Sequence, residues 1–377
     1  MRYTTSLAAL LLFTACGDGQ SRATDSANAT VAGADSAPFA AASLPLSPDT
    51  LTPAVITDSV PTDSDDPAIW VNATDPSRSV VLGTDKGDST GGVYTFNLDG
   101  RIDRARSVTP LMRMNNVDVE YGMQVGGQPT DIAVATERLR LSLRVFSMPA
   151  MKAIDGGGIA VFDGDTARAP MGVALYKRPR DGQVFAIVGG KGGPVNHYLA
   201  QYALRAEGGR VVATKVREFG TYSGRKEIEA IFVDDELGFL YYSDEGVGVR
   251  KYHADPDSGS KELALFATTG FLEDHEGIAL YRKDGASGYL IVSDQGGNRF
   301  QVFPREGVSG NAHSHPVIAV IPVRAQQTDG LDVTAQALGT AFPRGMLAMM
   351  SNRGRFHFYR WEDVETAIEK VRAGRSR

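Results

Sequence analysis

One cysteine, Cys16, stands among the 377 residues, so the chain can form no internal disulfide. Cationic charge is in deficit: 39 Lys and Arg face 45 Asp and Glu, for a net charge of −6, and no basic run exceeds a few residues. Nucleic acid is therefore not an expected partner. The apolar stretch from Leu7 to Ala15 is too short to span a bilayer. No His-Glu-x-x-His occurs, which removes the zinc-peptidase reading, and an Arg-His-Gly acid-phosphatase core is also missing. Gly189-Gly190-Lys191-Gly192-Gly193 is glycine-rich but lacks P-loop spacing, although its glycines would let a phosphate approach the backbone. Cys16 and Arg22 fit a Cys-x5-Arg pattern only by chance, because both lie outside any folded segment the sequence suggests.

What is present is a rhythm. A short strand ending in an aromatic recurs six times, at Phe96, Phe146, Tyr202, Tyr252, Phe303 and Tyr359, at intervals of 50, 56, 50, 51 and 56 residues. Ten to twelve residues earlier in each repeat lies a second apolar strand ending in small or polar residues, such as Val81-Leu82-Gly83-Thr84 and Leu290-Ile291-Val292-Ser293. Earlier still comes a third apolar run, such as Pro67-Ala68-Ile69-Trp70-Val71 and Gly277-Ile278-Ala279-Leu280-Tyr281. β-branched and aromatic residues favour strands, and the Gly, Asp and Asn clusters between them favour turns. Six such repeats predict an all-β, six-bladed propeller with four-stranded antiparallel blades around a central channel.

The repeat register exposes two columns. Immediately before the innermost strands stand Asp66, Asn116, Met171, Glu229, Glu276 and Asp329, with further acids beside them at Asp65, Glu227 and Asp274. Carboxylates converging at one mouth of a channel need a cation or protons to neutralise them, and an oxygen-only donor set suits Ca²⁺. After the second strands stand Lys86, Arg138, Lys191, Glu245, Gln295 and Arg353. Three cations from the first three blades, opposite oxygen ligands from the fourth and fifth, fit a polyanion held by both. For each position singly the alternative is an ordinary polar residue in a surface turn.

Asp63-Ser64-Asp65-Asp66-Pro67-Ala68-Ile69-Trp70 and Asn115-Asn116-Val117-Asp118-Val119 resemble the first two motifs of the β-propeller phytases. The likeness continues through Glu229 to Glu236, Ser243-Asp244-Glu245, Asp274-His275-Glu276-Gly277, Ser293-Asp294-Gln295-Gly296 and Thr328-Asp329-Gly330, covering about 55 to 365. The resemblance implies several Ca²⁺ ions and hydrolysis of phytate, the hexaphosphate of inositol, by a metal-activated water. It implies calcium ligands at Asp65, Glu229, Glu245, Asp274, Glu276, Gln295 and Asp329, and phosphate contacts at Lys86, Arg138 and Lys191. Glu229 is the expected residue to orient the water, with Lys86 and Arg138 taking up charge on the phosphoryl oxygens. The substrate implied is phytate in its calcium-bound form. Departures from the family pattern stand at Gly87, Glu120, Met171 and Gly192, each expected to remove a contact at the phosphate-binding half. Two rival readings are another calcium-dependent six-bladed hydrolase of lactonase type and a non-enzymatic propeller that captures phosphorylated ligands. Three cations facing the metal argue against the first.

The ends of the chain suggest export. Met1-Arg2-Tyr3 gives a positive start, residues 7–15 the apolar core of a signal peptide spanning 1–15, and Phe13-Thr14-Ala15-Cys16 resembles a bacterial lipobox with Phe13 in place of the usual Leu. The expectation is lipidation at Cys16 and a place in the cell envelope, at the periplasm or outer membrane, or secretion if an ordinary signal peptidase cuts. Residues 16–52, rich in Ala, Ser, Thr, Asp and Pro, read as a disordered tether, and 53–377 as one monomeric propeller domain touching membrane only through its anchor. Arg360 to Arg372 is expected to form a short amphipathic helix on the last blade, and His313 and His315 to sit in a solvated loop.

Overall fold

The computed structural model describes residues 44–375, and within them each repeat is an antiparallel sheet. Blade one runs Ser64–Trp70, Val80–Asp85, Gly91–Asn97 and Ile102–Leu111 from channel to rim. Blade three runs Pro170–Lys177, Val184–Gly190, Leu199–Glu207 and Arg210–Phe219; blade four Ile231–Asp234, Phe239–Asp244, Gly248–His253 and Ala264–Phe266; blade five His275–Arg282, Gly288–Asp294, Arg299–Pro304 and Ala319–Pro322. In blade two, Met114–Val125, Gln128–Glu137 and Ser142–Ser147 are followed by an outer position split into Lys152–Ala153 and Ile159–Ala160. Every aromatic of the sequence rhythm lies on a third strand, and each apolar run assigned as innermost lines the channel side.

The ring closes through the start of the domain. Blade six takes Leu331–Thr334, Met346–Ser351 and Arg355–Arg360 from the end of the chain and its outer strand, Val55–Ile56, from the beginning, with Val55 opposite Phe358 and Ile56 opposite His357. The apolar core is accordingly six layers, one between each pair of neighbouring blades. One layer joins blade six to blade one, with Met346, Phe356 and Phe358 against Ile69, Val81 and Phe96. Apolar side chains therefore pack blade against blade, while the strand ladders hold each blade internally.

The residues just before Val55 belong to the folded body. Leu46 and Leu51 form parallel bridges to Val320 and Val323 at the edge of blade five, and Leu51 is buried beside the C-terminal helix. Residues 44–52 of the expected tether are thus packed; residues 1–43, with the expected signal peptide and Cys16, lie outside the described residues. The helix spans Trp361–Arg375 and buries Trp361, Val364, Ile368 and Val371. It covers the layer between blades five and six rather than blade six alone, with the Trp361 ring stacked 3.6 Å from that of Tyr281.

The loop carrying His313 and His315 differs from expectation. His315 is buried, its Nδ1 2.7 Å from the Pro304 carbonyl and its Nε2 3.1 Å from the Lys251 ammonium. Lys251 is itself fully buried and also donates to the Ala312 carbonyl at 2.7 Å. The histidine is the acceptor that a buried lysine needs, not a solvated residue and not a metal ligand.

Candidate metal and phosphate site

Register shifts set the site. In blades one, two, three and five the innermost strand slips its pairing at the column residue, between Ser64 and Pro67, Met114 and Val117, Pro170 and Val173, and His275 and Ile278. Such bulges turn consecutive side chains to different faces. Second-strand hydroxyls fix these kinks: Thr84 Oγ1 accepts the Asp66 N–H at 2.9 Å, Thr136 Oγ1 accepts the Asn116 N–H at 3.1 Å and donates to the Met171 carbonyl at 2.7 Å. Ser243 and Ser293 donate to the Glu276 and Thr328 carbonyls at 3.0 and 2.6 Å. That is the reason Thr84, Thr136, Ser243 and Ser293 stand near the ends of their second strands.

The bulge in blade one separates two neighbours. Asp65 faces the mouth, whereas Asp66 points into the channel and its Oδ2 accepts the Val117 N–H of blade two at 3.1 Å. Asp66 therefore does not join the mouth acids. It belongs to a second tier with Asp118, which accepts Leu175 N–H at 2.7 Å, and Asp332, which accepts Ile69 N–H at 2.7 Å. Each of these aspartates clamps the next blade's inner strand, and all three line a narrow channel cavity of about 50 Å³. Burial pushes Asp118 up to about 7, Asp332 up to about 6, and Asp66 well above the usual carboxylate range.

At the mouth, Glu229, Glu245 and Glu276 bring carboxylate oxygens within 4.8 Å of one another. Burial raises all three. The charge of Asp65 adds to the effect on Glu229, those of Glu245 and Glu229 to that on Glu276, and those of Asp274 and Glu227 carry Glu245 to about 7. Asp329 is likewise raised to about 7 by burial and by Asp65. Lys86 inserts its ammonium between Asp65 and Asp329, 2.9 and 3.2 Å away. Burial opposes that charge, but the Asp65, Asp329 and Glu229 carboxylates outweigh it and hold the lysine firmly protonated. Gln295 donates through Nε2 to Asp329 Oδ1. Asp274 is paired with Lys226, both oxygens lying 2.6 and 2.7 Å from Nζ.

Of the expected phosphate contacts, Lys191 is half-exposed and pairs with Glu227. Arg138 sits in the turn Arg138–Arg140, its N–H bonded to the Arg113 carbonyl at 3.0 Å, and among the described residues no carboxylate is paired with its side chain. The departures fall differently from one another. A Cβ at Gly87 would come within 2.8 Å of the Thr62 and Thr90 hydroxyls, so this turn has no room for a side chain as it stands. Met171 is buried with its carbonyl held by Thr136. Glu120 lies four residues beyond Asn116 on the same strand, beside Asp235, Lys177 and Arg282, and so falls outside the mouth, contrary to expectation.

Two participants, Asn115 and Lys226, escaped the sequence columns, and the pairing of Glu227 was not visible in them. Asn115 donates from one Nδ2 to Asp65 Oδ2 at 3.0 Å and to Glu229 Oε1 at 2.8 Å, while its buried Oδ1 has no partner among the described residues. It occupies the same place in blade two as Asp65 in blade one, so the repeat register could have found it. Glu227 and Lys226 precede Glu229 in a loop with no repeat counterpart; nothing in the spacing marks them as the partners of Lys191 and Asp274.

An oxygen-only donor set, mutual repulsion among buried carboxylates and an orphaned amide oxygen beside them are what a hard divalent cation requires. The residues at this mouth fit Ca²⁺. Residues 19–354 match the sequence model of the family described as Phytase. A curated 3-phytase of Bacillus subtilis (strain 168) is 29% identical over 325 residues, covering 80% of this chain and 80% of its own. A solved structure of a protein from Lactobacillus plantarum aligns with a TM-score of 0.48 at 15% identity, covering 75% of this chain and 76% of that one.

Proposed function

This chain belongs to the phytase family and is a phosphomonoester hydrolase, and we propose that it removes phosphate from myo-inositol hexakisphosphate in a Ca²⁺-dependent reaction at the channel mouth. The observation that carries this reading is the placing of Lys86 in direct contact with Asp65 and Asp329 of the acid cluster. One cation from the expected phosphate set thereby reaches into the expected metal set. Phytate presents several dianionic groups on a small ring, so it needs both fixed cations and a mobile counter-charge.

Asp65, Glu229, Glu245, Glu276 and Asp329 would hold Ca²⁺, with Asn115 Oδ1 and Gln295 Oε1 as neutral donors. When bound, calcium supplies positive charge to the phosphoryl oxygens and makes an attacking water more acidic. The chain's own groups do the rest. Lys86, Arg138 and Lys191 orient the phosphate and absorb charge on its equatorial oxygens as the ester bond breaks. Arg138, free of carboxylate partners among the described residues, is ready for a bidentate contact, whereas Lys191 must first leave Glu227. Glu229, held by Asn115 Nδ2 at 2.8 Å, orients the attacking water and accepts its proton. Lipidation at Cys16 and a place in the cell envelope complete the proposal, with calcium-bound phytate met outside the cytoplasm.

Inorganic phosphate release from phytate by Glu229→Gln tests the role of this carboxylate. The expected result is a loss of about 10²–10⁴-fold in kcat, the usual size of a general-base contribution. Turnover near that of the wild type would remove Glu229 from the chemistry.

A further inference from the structure

The three mouth lysines are not equivalent. Lys86 is enclosed, 17% exposed, and its charge is shared by Asp65 and Asp329. Among the described residues Lys191 pairs only with Glu227, which lies outside the trio of Glu229, Glu245 and Glu276. Lys226 enters from solvent with 51% of its side chain exposed and sets Nζ on both oxygens of Asp274, at 2.6 and 2.7 Å. Asp274, at 13% exposure, is enclosed beside Glu245 and Glu276. One cation held symmetrically by both carboxylate oxygens is also how a bidentate carboxylate holds a calcium ion.

An independent observation shows that this mouth has donor capacity to spare. Asn115, 1% exposed and fixed by two carboxylates, has an Oδ1 with no partner among the described residues. Donors therefore await cations there, while at Asp274 a cation of the chain itself is already in place. An ion pair to a half-exposed lysine is weak and breaks readily, so this cation can leave without unfolding anything.

We propose that Lys226 is a tethered, displaceable cation that stands in for a divalent ion at Asp274, so that this part of the mouth accepts calcium only by driving the ammonium into solvent. The inference rests on reading the mouth as a calcium site and not on the identity of the ester hydrolysed. Its consequence is a weakened last step of calcium uptake, which sets the calcium concentration at which the mouth fills.

Calorimetric titration of chelator-stripped full-length protein with CaCl₂ alone tests this in the wild type, Lys226→Met and Lys226→Arg. Removing one positive charge beside a carboxylate is expected to tighten the weakest calcium step by roughly tenfold or more, or to add one ion to the stoichiometry. Lys226→Arg keeps the charge and should follow the wild type. Identical isotherms for the wild type and Lys226→Met, weaker binding by the latter, or no calcium binding by any of the three would overturn the proposal. Phosphate release from phytate is measured on the same samples. Tighter calcium binding without phosphate release would leave the tethered cation standing and remove the phytate reading; release with unchanged isotherms would do the reverse.

Discussion

Glu245 offers a test whose sign reverses with calcium. Its carboxyl is 6% exposed and is pushed from 4.5 to about 7 by burial and by the charges of Asp274 and Glu227. Between those two values the folded chain keeps a proton that the unfolded chain has released, so stability falls as pH rises through this window. A rise of that size costs the folded state about 3 kcal/mol once pH exceeds 7, at roughly 1.4 kcal/mol per pKa unit. Sharing of protons with Asp274 and Glu276 makes about 2–3 kcal/mol the expected figure. The buried histidines His315 and His357 are lowered to about 4 by burial and bend the absolute pH curve the other way. Comparing Glu245→Gln with the wild type at each pH cancels them. With chelator present, urea unfolding should find Glu245→Gln more stable by about 2–3 kcal/mol at pH 8 and equal to the wild type near pH 4.5. With saturating Ca²⁺ at pH 8 the order should invert, because the amide surrenders a ligand charge that the ion would have stabilised. A variant less stable than the wild type in chelator at pH 8 would refute the claim that repulsion and burial strain this carboxylate.

Lys86→Met should lower kcat for phosphate release by about 10²–10³-fold, the size expected for losing one preorganised charge, with the residual rate measured under calcium saturation. Gly172→Ala would place a Cβ 1.9 Å from the Glu229 carbonyl, and no side chain there can give way. The loop must move, so calcium affinity by titration should fall, with about 1–3 kcal/mol lost in denaturant unfolding. Trp361→Ala removes a fully buried ring stacked on Tyr281 and should cost about 3–5 kcal/mol, read as a lower denaturation midpoint.

The repeat was legible because aromatic third strands recur in every blade and second strands end in small residues, with a hydroxyl in all but blade three. Phe96 and Phe356 meet edge to face across the junction of blades one and six, and Ser293 ties blade five to blade six through Thr328. Ring closure by Val55–Ile56 was not legible: two residues carry no period, and their partner lies about three hundred positions away. Nor could spacing tell Asp65 from Asp66, since adjacent acids part company only through a bulge that hydroxyl contacts define. Lys226 escaped because a loop residue reaching across to the next blade leaves no trace in the repeat register. His315 escaped because the buried Lys251 that recruits it looks, in sequence, like any strand lysine.

The central claim joins a calcium site to a phosphate site at one mouth. Inorganic phosphate release from phytate by the chelator-stripped protein, followed as CaCl₂ is restored, tests it most directly. The account predicts no release in chelator and full recovery as the carboxylates of Glu229, Glu245 and Glu276 fill. Release that continues unchanged in chelator would contradict it.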